Sequence, residues 1–293
     1  MTSGLEGVQL HLVDSAEKAD EFIRWLGERR PLNAIAIDTE TGEFPGNPRK
    51  DALSPWRGQL RLVQVGDGMT GWSIPWEDWR GVFYEAMDKF DGPIVCHNIS
   101  FEAKWFDKHS KWKMPWHRAH DTMIMAKLID PLGSGALKTL TEQYVDRQAA
   151  AAQTVLDYGL VDNGWTWGTV PIKFDPYWQY GALDPVLTMR LFDLFWDKCA
   201  PGKPFSQAYE LEMNTRRIVT QMELNGARVD LEYSQNKYEE LLSYTEDVKK
   251  WVQEQYGFAI GSNPKLVETF EKLGYTITEY TDKGSKSASA DQL

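Results

Sequence analysis

The stretch Ala34-Ile35-Ala36-Ile37-Asp38-Thr39-Glu40-Thr41 decides the fold class. Its four apolar residues read as a short buried strand, and the run ends abruptly in two acids spaced two apart. Strand side chains alternate between faces, so Asp38 and Glu40 point to the same side. Two same-side carboxylates at the end of an apolar strand repel each other unless a cation lies between them, and Mg²⁺ and Mn²⁺ take oxygen ligands of this kind. Taken alone, the pair is equally compatible with a strand end whose acids meet solvent.

Outward from this stretch the chain alternates between the two periodicities. Residues 8–13 place Val8, Leu10 and Leu12 against Gln9 and His11, a strand pattern. Ser15 reads as the N-cap of a helix to residue 29, with Phe22, Ile23 and Leu26 on its inner face. Residues 44–55, rich in Pro, Gly and charge, read as a loop. Strands are expected at 60–65 and 72–74, joined by Gly66-Asp67-Gly68, and at 93–96. Helices are expected at 101–108, 121–129, 137–147 and 176–198. Strands first and helices later predict an α/β fold, a sheet covered by helices.

Pro201-Gly202-Lys203-Pro204 reads as a linker, which sets the boundary between regions 1–204 and 205–293. After it the pattern is helical: Leu211, Ile218 and Met222 recur at helical spacing, then Tyr238, Leu241, Leu242, Val248 and Val252. This second region has fewer than 100 residues and a polar end, which predicts part of a domain rather than a whole one.

The composition is 42% hydrophobic and 26% charged, ordinary for a globular chain, and the formal net charge is −11. That excludes a generally basic nucleic-acid coat but not a local basic groove. Two cysteines, Cys96 and Cys199, exclude a disulfide framework and a four-cysteine zinc site. No apolar run approaches the roughly 18 residues of a membrane span. The first residues lack a secretory signal, so the expected compartment is cytoplasm, with no membrane partner.

Two further pairs join the first. Asn98 and Glu102 stand at the end of a strand and in the first turn of a helix. Tyr180 and Asp184 are four apart on one helix face, and Asp175-Pro176 is a good helix start. The succession Asp38-x-Glu40, Asn98-x-x-x-Glu102 and Tyr180-x-x-x-Asp184 resembles the three exonuclease motifs of the DEDD superfamily. The last spacing is that of its tyrosine branch, since the residue five before Asp184 is Gln179 rather than His. Leu60-Arg61-Leu62-Val63-Gln64-Val65, His120-Asp121-Thr122 and Leu137-Lys138-Thr139-Leu140 look like the intervening elements of the proofreading domain of family A, DNA polymerase I-like, enzymes. That likeness covers residues 8–198. Residues 210–230 resemble the helix entering the thumb of those polymerases. Asn263-Pro264-Lys265-Leu266 through Asp282-Lys283-Gly284, and Ser289-Ala290-Asp291-Gln292-Leu293, resemble the thumb tip. Palm, fingers and a flap-nuclease domain have no counterpart. A bacteriophage source is the natural analogy for such a polymerase.

The resemblance implies a ribonuclease H-like mixed sheet flanked by helices over 1–204, followed by a partial, all-helical thumb over 205–293. The implied activity is 3′–5′ exonuclease: hydrolysis of the terminal phosphodiester of single-stranded or frayed DNA 3′ ends by a two-metal mechanism, releasing nucleoside monophosphates in replication proofreading. By the same resemblance Asp38 bridges two divalent ions, Mg²⁺ or Mn²⁺, Glu40 and Asp184 complete the site of the nucleophilic water, and Glu102 holds the second ion through water. Tyr180 orients the attacking water; a phenol, with a pKa near about 10, is a poor formal base. Phe44 sits where the family places an apolar wedge, Phe101 where a ring packs on the terminal sugar, and Asn98 beside them. Lys104, Lys108, Lys111, Lys113 and Arg118, interleaved with Trp105, Trp112 and Trp116, form a candidate phosphate track, with a solvated helix face as the alternative. The implied partners are a DNA 3′ end and a separately encoded palm and fingers.

Two residues depart from the family pattern. Position 102 is Glu where Asp is usual, and Pro185 follows Asp184 inside a helix, where proline removes a backbone bond. Activity is expected to survive Glu102 with a changed metal preference; the alternative, in which Glu102 spoils the metal site, is a catalytically weak or inactive DNA-binding module, a fragment of a split polymerase. An RNA-trimming exonuclease is weaker, because a thumb serves no purpose there. Gly66-x-Gly68-x-x-Gly71 matches a dinucleotide fingerprint as a string, but a strand rather than a helix follows, so it is expected to be a hairpin turn. Asn98-Ile99-Ser100 is discounted as a glycosylation string, and His109, His117 and His120 lack zinc spacing. Trp165-Thr166-Trp167 is either a packed lid or a strand contact.

Overall fold

In the computed structural model, which describes residues 5–29, 33–281 and 284–288, the apolar run from Ile35 lies inside a six-stranded sheet. The strands are β1 (Gln9–Leu12), β2 (Ile35–Glu43), β3 (Gly58–Gly66), β4 (Thr70–Pro75), β5 (Ile94–Cys96) and β6 (Ala119–Asp121), in the order β1-β4-β3-β2-β5-β6. β3 runs antiparallel to both neighbours, and the β1–β4, β2–β5 and β5–β6 pairs are parallel. This is a mixed α/β sheet flanked by helices, the ribonuclease H-like arrangement expected.

Alternation in β2 builds both layers. Ile35 and Ile37 enter the core made with helices α1 (Ala16–Gly27), α2 (Trp76–Lys89) and α3 (Ile99–His109). Ala36 enters the opposite core, made with α4 (Thr122–Ile129) and α7 (Asp175–Cys199). Asp38 and Glu40 keep the phase of Ala36 and therefore emerge on the α7 side. Between these helices lie α5 (Leu137–Tyr144) and α6 (Ala151–Asn163).

The long helix α7 can lie close to the sheet because the sheet is bare beneath it. A Cβ on Gly71 would stand 1.8 Å from the carbonyl oxygen of Ala182. Gly66 leaves room for the Pro185 ring in the same way, its hypothetical Cβ 3.1 Å from two ring carbons. The helix continues without a break from Asp175 to Cys199 through Pro185. The Gly66–Gly71 string is thus a β3–β4 hairpin turn against a helix, with Asp67 accepting from the N–H groups of Met69 and Thr70.

Two helices have no counterpart in the sequence expectations. α2 begins directly after Pro75, where the Trp-rich string reads as strand, and α6 follows a run of alanines. The loop expected at 44–55 contains a short 3₁₀ turn at Arg49–Leu53.

The chain divides into two compact units, 1–225 and 226–293. The helix α8 (Ser206–Asn225), which lies beyond the linker at 201–204, belongs to the first. Tyr209 is buried and its hydroxyl accepts from the backbone N–H of Asp121 at 3.0 Å, and Thr220 exchanges a buried 2.8 Å hydrogen bond with Ser100 of α3. The second unit holds α9 (Leu231–Tyr256) and α10 (Asn263–Lys272), with Val252, Val267 and Ile277 as its buried apolar residues. Within the thumb-tip strings, Asp282, Lys283 and residues 289–293 lie outside the described residues. Among the described residues, no helix is long and apolar enough to cross a membrane.

Candidate active site

Asp38 and Glu40 are adjacent same-face positions on β2, and a register shift directly after Glu40 marks a bulge against β3. α7 crosses this face and delivers Asp184. One carboxylate oxygen from each of Asp38, Glu40 and Asp184 lies within 4.8 Å of the other two. Carboxylates this close, largely withdrawn from water, repel one another. Burial and then the Asp184 charge push Asp38 up to about 7, and burial followed by Asp38 and Asp184 pushes Glu40 well above the usual carboxylate range.

Glu102 approaches from a different element. It lies in the first turn of α3, is 2% exposed, and stands outside the tight trio. Its Oε2 is buried with no hydrogen-bond partner among the described residues. Burial and then the Asp38 charge raise its pKa strongly, so it shares the field of the same site. A buried orphan oxygen beside three crowded carboxylates fits a divalent, oxygen-preferring cation. Asp38, Glu40, Asp184 and Glu102 are the residues that could hold it.

Asp121 positions Glu102. Its fully buried carboxylate accepts from four backbone N–H groups: Asn98 at 3.1 Å, Ile99 at 2.9 Å, Met123 at 2.8 Å and Ile124 at 3.3 Å. One side chain thus ties the N-termini of α3 and α4 together. Asn98 itself adopts a left-handed conformation, φ 73°, at the turn into α3. Neighbouring His97 donates from Nε2 to the Gly135 carbonyl at 2.8 Å and pairs through Nδ1 with Thr122 Oγ1 at 2.8 Å, anchoring the loop before α5.

Tyr180, one turn before Asp184, is driven far above the ordinary phenol range by burial and then by the Asp184, Glu40 and Asp38 charges. It keeps its proton throughout the working pH range. Its ring stands 5.9 Å from that of Trp167. The Trp165-Thr166-Trp167 string is a strand contact: Arg61 of β3 donates to the carbonyls of Trp167 and Val170, each at 2.7 Å. A Cβ on Gly168 would meet the Glu43 carbonyl at 2.0 Å, so the loop is seated on the end of β2.

The remaining sequence candidates are spread around this centre. Phe44 is 47% exposed just past β2, and Phe101 is half-buried against Trp105 with ring centroids 6.0 Å apart. Lys104 is bound to Glu223 of α8 at 2.9 Å. Much of the basic stretch around it is engaged: Lys108 and Lys113 face Asp107, Lys111 lies over the Tyr84 ring, and Arg118 donates to the carbonyls of Gly92 and Phe90. Sequence reasoning assigned no role to Lys138, His97 or Asp121. Asp121 carries a legible signal, an acid immediately before a helical run; Lys138 and His97 act across long sequence separations and carry none.

The profile of the 3′–5′ exonuclease family matches residues 10–200. The DNA polymerase of Mycobacterium phage D29 is 28% identical over 301 residues, covering 95% of this chain and 47% of the polymerase. DNA polymerase I of Borreliella burgdorferi is 25% identical over 297 residues, covering 97% of this chain and 30% of its own length. Among solved structures, the POL domain of Pol1 from M. smegmatis in complex with DNA primer-template and dNTP superposes with a TM-score of 0.59 at 16% identity, over 97% of this chain and 44% of that one, a likeness of fold. The chain spans about half the length of the two mycobacteriophage polymerases it matches, 47% and 49%, and 35% of that of Escherichia phage T5.

Proposed function

The chain belongs to the 3′–5′ exonuclease family of family A DNA polymerases, and on that premise we propose that it removes nucleotides from unpaired DNA 3′ ends as the proofreading nuclease of a replicative polymerase. The reaction is hydrolysis of the terminal phosphodiester. A water oxygen bonds to phosphorus and gives up a proton, the bond to the 3′ oxygen of the penultimate nucleotide breaks, that oxygen takes up a proton as the new 3′ hydroxyl, and a nucleoside 5′-monophosphate leaves. The observation that carries this reading is the trio Asp38, Glu40 and Asp184, with mutual oxygen distances within 4.8 Å.

Asp38, Glu40 and Asp184 are the principal ligands, and Glu102 reaches the same site from α3. Divalent ions held there, Mg²⁺ or Mn²⁺ and two in number, would lower the pKa of the attacking water and offset charge on the attacking and leaving oxygens. Tyr180 retains its Oη proton and orients the water by hydrogen bonding rather than accepting its proton. Phe44 and Phe101 supply apolar faces against the last bases and sugar, where stacking is tolerant of sequence. Asn98, at the left-handed turn into α3, supplies a polar side chain to the same strand, and Lys104, freed from Glu223, reaches a phosphate. Region 1–204 is the nuclease domain and 205–293 a partial thumb whose first helix, α8, packs in the same compact unit as the sheet, with palm and fingers supplied by further polypeptide.

The test is a time course on 5′-labelled single-stranded DNA, with a matched RNA strand alongside, in Mg²⁺ and in Mn²⁺. Stepwise 3′ shortening of DNA that Asp38→Ala abolishes is the expected result. Binding without shortening under both metals identifies a DNA-binding module instead, and preferential shortening of RNA a processing nuclease.

A further inference from the structure

One cation sits within the acid cluster and has no part in the scheme above. Lys138, in the first turn of α5, donates from Nζ to Asp184 Oδ1. The same Nζ lies 4.2 Å from the centroid of the Tyr180 ring, over its face. Its side chain is 15% exposed and that of Asp184 7%, so the pair is withdrawn from water. Its position is fixed from behind. Thr141, one turn on, donates to the carbonyls of Leu137 and Lys138, and His97 holds the Gly135 carbonyl just before the helix. The groups facing the ammonium are Asp184 and Tyr180 from α7, Asp38 and Glu40 from β2, and His97 beside β5; the Lys138 charge favours the ionised form of both β2 acids and disfavours a charged His97.

An ammonium on an Asp184 oxygen occupies a ligand atom that a divalent ion needs. The physical consequence is competition: each metal bound through Asp184 displaces a hydrogen-bonded, partly desolvated ion pair, and the cost of that displacement enters the metal affinity. We infer that Lys138 is the built-in counter-cation of the nuclease site, holding Asp184 and Tyr180 in place and setting how tightly divalent ions bind. The inference rests on the metal reading of this site given above. It predicts that Lys138 weakens metal binding while stabilising the folded chain, a combination that a merely structural lysine does not produce.

The experiment is an electron paramagnetic resonance titration with Mn²⁺ on the full chain, at fixed pH and ionic strength, for wild type, Lys138→Met, Lys138→Gln and Lys138→Arg. Thermal unfolding in EDTA is measured on the same samples. Lys138→Met and Lys138→Gln are expected to bind Mn²⁺ about tenfold tighter, in line with the coupling of close charge pairs, and to melt earlier in EDTA; Lys138→Arg stays near wild type. If either neutral variant melts cooperatively yet binds Mn²⁺ no tighter than wild type, the counter-cation role is overturned. If wild type itself binds no Mn²⁺, the metal reading fails and the inference with it. If neither neutral variant folds while Lys138→Arg binds Mn²⁺ at least tenfold tighter than wild type, the charge at position 138 does not set the affinity and the inference also fails.

Discussion

Helices α7 and α9 have nearly equal lengths, 25 and 26 residues, and opposite surroundings. α7 buries residues on all sides, among them Tyr177, Leu183, Val186, Leu187, Leu191 and Phe195, whereas Val252 is the buried residue of α9. α7 lies against a sheet made bare by Gly66 and Gly71, and that close approach fixes Asp184 among the β2 acids. α9 leaves Leu231, Tyr238, Leu241 and Leu242 exposed. Chemistry at a metal centre needs ligand oxygens held to within tenths of an ångström, and only a buried, over-determined helix supplies that. An amphipathic helix with its apolar stripe uncovered carries no such constraint.

The contrast can be broken at several strengths. The largest effect belongs to the proposed ligand: Asp184→Asn is expected to lower exonuclease activity by more than the roughly 100-fold that loss of a supporting partner costs a metal site. Leu241→Ser on α9 is expected to leave single-stranded DNA digestion unchanged in the same gel assay. Next comes the seating of α7. Gly71→Ala forces a Cβ to 1.8 Å from the Ala182 carbonyl, and we expect a loss of about 3 kcal/mol in urea denaturation. A loss below about 0.5 kcal/mol would show that α7 is not held as tightly as described.

A smaller effect follows from the crowded acids. A carboxyl whose folded-state pKa lies above its unfolded value holds an extra proton in the folded chain between the two. Asp38, raised from 3.8 to about 7, therefore contributes stability that is lost as pH rises across that window. In EDTA, Tm is expected to fall by several degrees through this range, and Mn²⁺ is expected to restore it most at the upper end, where the acids are ionised. A Tm rising through the window in EDTA contradicts the crowding. The smallest effect is on α9: Leu241→Ser, at a position 60% exposed, is expected to change stability by no more than about 0.5 kcal/mol.

The elements that decide the fold were legible because they are local. Period two in residues 35–40 places Asp38 and Glu40 on one face, and period 3.6 places Tyr180 and Asp184 one turn apart. The proximity of Asp184 to the β2 acids depends on Gly66 and Gly71, 118 and 113 residues before it, which no local pattern reports. α2 was hidden because Pro75-Trp76 continues a strand in composition while starting a helix in fact. The tie of Lys104 to Glu223 spans 119 residues, and that of Lys138 to Asp184 spans 46. Long flexible side chains reach partners that spacing cannot name. The composition shift at 201–204 reads as a linker in the sequence, while the compact unit extends past it to residue 225 because the Ser100–Thr220 and Asp121–Tyr209 contacts bind α8 to the sheet domain.

Asp38, Glu40, Asp184 and Glu102 are proposed to form one divalent-metal site. Anomalous diffraction from a crystal of the full chain soaked in Mn²⁺ tests it most directly. The expected map has two peaks, one bonded to Asp38, Glu40 and Asp184 and a second shared between Asp38 and the side of the site where Glu102 stands. A map with manganese elsewhere on the molecule, and none at the trio, contradicts it.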